Sequence, residues 1–72
     1  MSETVAGIIR REAARFMAID GVAGMYEGQT DDGTPCVVIM CERDPSELRE
    51  RLPAIIEGVP LLAEYSGRIV AF

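Results

Sequence analysis

Apolar residues recur at Val5, Ile8, Ile9, Ala13, Phe16 and Met17, in steps that fit the helical repeat. That spacing puts them on one face of a helix over residues 3–18, with Glu3, Arg10, Arg11 and Arg15 on its other faces. The helix stops at "AIDGVAG", where Gly21 offers the left-handed C-cap. The period then changes. "VAGMYEGQTDDGTPCVVIMCE" reads as two strands around Asp32-Gly33, a hairpin signal because glycine accepts the positive φ of a tight turn. The first strand, 22–27, is weak and rich in glycine. The second, 35–42, is almost wholly apolar, as expected of a strand covered on both faces. Pro35 stands at its first position, where a missing N–H is tolerated.

"RDPSELRERLPAIIEG" predicts a second helix. Asp44 is the N-cap, Pro45 the first helical residue and Glu47 the partner in an Asp-x-x-Glu capping pattern. Leu48, Leu52, Ile55 and Ile56 make its buried stripe, and Gly58 is its stop signal. Pro53 kinks this helix or divides it into two short turns. A strand begins at Val59, with Val59, Leu61, Ala63 and Tyr65 on one face and Leu62 and Glu64 on the other. Gly67 marks a bulge or turn, after which 68–72 resumes as strand. The order is α-β-β-α-β, with a further short strand at the end. It predicts an α+β fold with two helices packed on one face of a small sheet of three or four strands, antiparallel or mixed. Two helices cover only one sheet face, yet 35–41 and 59–72 offer apolar groups to both. The second face is left wet or is buried by a partner. A homodimer packed sheet to sheet is the simplest solution and another protein the next.

Composition narrows the function classes. The 72 residues make one domain, and a chain of this size buries only about 60% of the surface that its unfolded form exposes. The longest apolar run, Cys36 to Cys41, is far too short to cross a bilayer. The N-terminal stretch is broken early by Arg10, Arg11, Glu12 and Arg15 and does not read as a signal peptide. A cytoplasmic protein without membrane association is expected. Net charge is −5 and all seven bases are arginines, so the chain repels phosphate and no nucleic-acid partner is expected. There is no lysine. Histidine is also missing, which removes the usual general base and the commonest metal ligand. The chain is therefore expected to be no enzyme and to hold no cofactor or metal.

Individual residues read the same way. Cys36 and Cys41 on one strand point to opposite faces, cannot bridge each other, and behave as small buried hydrophobes in a reduced compartment. Asp31 and Asp32, with Glu27 nearby, suit a soluble turn better than a cation site, because regularly spaced oxygen ligands are missing. Arg10, Arg11 and Arg15 pair more readily with Glu3, Glu12 and other acids than they make an anion site. Ser2, Ser46 and Ser66 have no base to activate them.

Over residues 20–72 the chain resembles a small bacterial module that occurs free-standing and N-terminal to trypsin-like serine peptidase domains. The resemblance rests on Gly21-Val22 with Gly24, on Asp32-Gly33, on Val37-Val38-Ile39, on Leu52-Pro53 with Ile56, on Gly58-Val59-Pro60, and on Gly67 with Ile69 and Ala71. "GVAGMYEG" departs from the more repetitive glycine-valine strand of that family, and no peptidase domain follows in these residues. The resemblance implies a fold and a habit of accompanying other domains, with no catalytic residue to carry over.

The leading expectation is a non-enzymatic protein–protein interaction or regulatory module, homo-oligomeric or bound to a protein partner through an apolar sheet face or edge. Its candidate surface is Met25, Tyr26, Leu62, Tyr65, Val70 and Phe72. The alternative is a small-ligand-binding protein with a pocket between sheet and helices. An enzyme using Glu27, Asp31 and Glu64 ranks last, because these carboxylates have no diagnostic spacing.

Overall fold

The protein is described by a computed structural model over residues 5–48 and 50–71. It is an α+β fold: α1 (Val5–Met17), β1 (Val22–Gln29), β2 (Pro35–Cys41), α2 (Pro45–Leu48), β3 (Ile55–Ile56), β4 (Val59–Tyr65) and β5 (Arg68–Ala71). The start of the expected first helix, at 3–4, and Phe72 lie outside the described residues. Among those residues no helix is long and apolar enough to cross a membrane.

The strands form one mixed sheet. β1 and β2 are antiparallel, from Val22 opposite Cys41 to Gln29 opposite Pro35. Their connection closes at Thr30, whose amide donates to the Thr34 carbonyl and whose carbonyl accepts from the Gly33 amide, both at 2.9 Å. β2 runs parallel to β4, with Val37 beside Leu61 and Met40 beside Glu64. Parallel neighbours need a crossover, and residues 42–58 supply it. On the far side of β4, β3 pairs with its first residues and β5 with its last.

The second helix departs from the sequence expectation. α2 is a single turn, and residues 55–56 are strand rather than the end of a helix. Pro53 accounts for this, since it has no N–H to donate and disfavours the helical conformation at Leu52. The turn closes with the Arg51 and Leu52 amides on the Leu48 carbonyl, at 2.9 and 3.1 Å. Two residues later the Ala54 carbonyl accepts from Leu61 at 2.9 Å, so the chain has joined β4. Gly58 is therefore not a helix stop. Glu57 (φ 50°) and Gly58 (φ 82°) form the two-residue loop of a hairpin between β3 and β4. Ser66 (φ 55°) and Gly67 (φ 80°) do the same between β4 and β5. Positive φ at both central residues matches the loop's twist to that of the flanking strands. These two hairpins raise the sheet to five strands, against the three or four expected.

α1 packs on β1 and β2. Ile8 and Phe16 of α1, Val37 and Ile39 of β2 and Leu61 of β4 are fully buried between helix and sheet. Leu48, Leu52 and Ile56 from the crossover join the same cluster. Ile55, expected in the buried stripe, is 63% exposed, because consecutive strand residues face opposite ways and only Ile56 turns inward.

Candidate functional site

Side chains alternate along each strand, so the register places residues on two faces. Val37, Ile39, Leu61 and Ala63 face α1. Cys36, Val38, Met40, Leu62 and Glu64 face the other way. Two rows cross that second face: Gly24, Met40, Glu64 and Ile69, and then Tyr26, Val38, Leu62 and Ala71. Among the described residues no helix packs on it. Met40 is 40% exposed and Ile69 55%, with Leu62 half-buried in the adjoining row.

Part of this face is nevertheless dry. Val38 and Cys36 are buried, and Tyr26 stands opposite Val38 in the register. From β1 its hydroxyl donates to Oε1 of Glu64 on β4. Strands lie about 4.8 Å apart, so a side chain bridging two strand spacings must cross over β2 and lie on Val38. Gly28 completes the arrangement: a Cβ there would stand 2.8 Å from Val38 Cγ2, 3.7 Å from Cys36 Sγ and 3.9 Å from Tyr26 Cε2. The hydrogen bond to Glu64, aided by burial and the Glu64 charge, pushes the Tyr26 hydroxyl up to about 12. Burial raises the Cys36 and Cys41 thiols, which keeps them protonated and poorly nucleophilic. Both cysteines are free and face opposite sides of the sheet, as the alternation on one strand requires. Cys41 donates weakly to the Ile39 carbonyl at 3.7 Å.

The six residues expected to form one surface are divided. Tyr26 and Leu62 lie on the uncovered face. Met25 faces α1 and packs against the core. Tyr65 and Val70 are also on the helix side, and Phe72 lies outside the described residues. Met40, Glu64 and Ile69 complete the uncovered face and were not among the six. Alternation joins Met40 to Val38 and Glu64 to Leu62, but only the pairing register brings Ile69 beside Glu64.

The other charged candidates are accounted for locally. Arg11 pairs with Glu57, Arg15 with Glu12 at 2.7 Å, and Arg43 with Asp20 at 2.9 Å. The Arg15 guanidinium also lies 4.7 Å from the Phe16 ring centre. Asp32 Oδ1 accepts from the Thr30 hydroxyl and from the Thr34 hydroxyl and amide, at 2.8 and 3.1 Å for the latter two. These bonds lower its carboxyl to about 2 and serve the turn itself. On the helix side, a groove of about 540 Å³ opens between α2 and the β4–β5 hairpin, with Asp44, Pro45, Tyr65, Arg68 and Val70 in its walls.

The chain matches no family model, no curated protein and no solved structure.

Proposed function

We propose that this protein is a non-enzymatic protein–protein interaction or regulatory module that self-associates through the uncovered face of its sheet. One observation carries the reading: Met40 and Ile69 stand exposed beside half-buried Leu62 and Tyr26 on a face that no described helix covers. In this reading α1 and the α2 turn form one covering layer, and a second copy supplies the other. Two sheets stacked about 10 Å apart would interdigitate these side chains and close a second core. A small domain gains most from such sharing, since its own core is limited. The resemblance of residues 20–72 to a small bacterial module that accompanies other domains fits the same role. Two free, protonated thiols suit a reducing compartment such as the cytoplasm. A net charge of −5 argues against a nucleic-acid partner.

Light scattering behind a sizing column, across a concentration series, tests this directly. The wild type is expected to run as a dimer. Ile69→Asp, at an exposed position, is expected to run as a monomer with an unchanged far-UV spectrum. A wild type that stays monomeric at every concentration overturns self-association.

A further inference from the structure

We propose that the groove between α2 and the β4–β5 hairpin binds a free aliphatic α-amino acid, with its ammonium on Asp44 and its carboxylate on Arg68. This site is on the helix side of the sheet and does not depend on the self-association reading.

Asp44 precedes α2 and caps it through one oxygen. Oδ1 accepts from the Ser46 amide and the Ser46 hydroxyl, both at 2.9 Å. Neither bond uses Oδ2. Arg68 opens β5 directly opposite Tyr65 across the Ser66-Gly67 turn, which puts both side chains on the helix side. Its charge reaches Asp44: the Asp44 carboxyl is held low first by the two Ser46 bonds and then by Arg68. Yet no ion pair closes between them, whereas Arg11, Arg15 and Arg43 each have a carboxylate partner. Two opposite charges therefore line one groove without neutralising each other.

That pattern selects a ligand class. A simple anion is drawn to Arg68 and repelled by Asp44, and a simple cation meets the reverse. A zwitterion satisfies both. In a peptide the two charges are separated by the length of the chain, whereas a free α-amino acid carries them on one carbon. Pro45, Tyr65 and Val70 give the groove an apolar wall, with Ser46 and Ser66 also in its lining, and that apolar part favours an aliphatic side chain. The groove's volume lies within the range of roughly 300–1,000 Å³ usual for small-ligand sites.

The test uses three probes on ¹⁵N-labelled protein: L-leucine, N-acetyl-L-leucine, which lacks the ammonium, and L-leucinamide, which lacks the carboxylate. Leucine is expected to shift the amides around Ser46 and Tyr65 to Val70 saturably. Each analogue should bind more weakly by about tenfold or more, because a charge-assisted hydrogen bond contributes roughly 1.5–3 kcal/mol. Asp44→Asn keeps a good N-cap and Arg68→Gln changes an exposed side chain, so dispersed spectra should show both variants folded. Both should lose leucine binding by a similar factor. Absence of saturable shifts with leucine, equal binding of either analogue, or unchanged leucine binding in either folded variant overturns the proposal.

Discussion

Tyr26 does more for the uncovered face than its half-buried position alone conveys. Its ring shields Val38 and Cys36, and its hydroxyl is tied to Glu64. The folded protein binds this phenolic proton more tightly than the unfolded chain does, with midpoints of about 12 and 10.0. The resulting stability is fully present below pH 10 and is lost as pH rises from there to about 12. Urea midpoints measured across that window should fall with pH, and Tyr26→Phe should flatten the fall. A residual slope is expected from Cys36 and Cys41, whose thiols burial also raises. Gly28 tests the same patch by packing. Alanine there gains about 0.4–1 kcal/mol from a stiffer unfolded chain. Against this, its methyl would press on a short β-branched side chain at 2.8 Å, and overpacking of that kind costs roughly 1–3 kcal/mol. The clash should win, and Gly28→Ala should lower the urea midpoint.

At the scale of elements, the tight turns do what the second helix was expected to do. Pro53 ends helical propagation, and the two-residue loops at Glu57-Gly58 and Ser66-Gly67 convert the remaining chain into hairpins. Gly67 has open space where a Cβ would go, so an alanine there meets no clash. Only the backbone objects: a left-handed conformation costs a residue with a Cβ about 1–2 kcal/mol, partly offset by about 0.4–1 kcal/mol of unfolded-state entropy. Gly67→Ala should therefore destabilise the fold modestly, by about 1 kcal/mol in urea unfolding. Gly28 is thus required by its neighbours and Gly67 by its own φ.

At the scale of the whole molecule, one helix layer on a five-stranded sheet leaves an unequal object. The helix side has a continuous core from Val5 to Leu61, closed by Leu48, Leu52 and Ile56. Among the described residues the opposite side has only the Tyr26–Glu64 bridge, and Met40 and Ile69, the neighbours of Glu64 in the register, stand exposed beside it. If a second copy closes that side, assembly and folding share one free energy. The thermal midpoint should then rise with protein concentration in the wild type and be constant in Ile69→Asp. The groove at Asp44 and Arg68 faces the other way, so ligand and second copy need not compete.

Several features were legible along the chain because their causes are local. Helical spacing marks α1, Asp32-Gly33 marks the first hairpin, and alternation in β2 and β4 assigns Cys36, Cys41, Leu61 and Leu62 to their faces. The absence of histidine and lysine, and the net charge of −5, are also properties of the sequence by itself. What only the tertiary structure decided depends on residues distant in sequence. A helical stripe at Leu48, Leu52, Ile55 and Ile56 competed with the breaker at Pro53, and pairing with β4 drew residues 55–56 into the sheet. Positive φ at Glu57 and Ser66 has no strong signal in residue type, since neither glutamate nor serine favours it. Tyr26 bonds Glu64 across 38 positions, and Asp44 and Arg68 line one groove across 24, and no periodicity along the chain encodes such a meeting. The parallel register of β2 with β4 is what brings the first pair together, and the α2 turn and the β4–β5 hairpin together place the second in one groove.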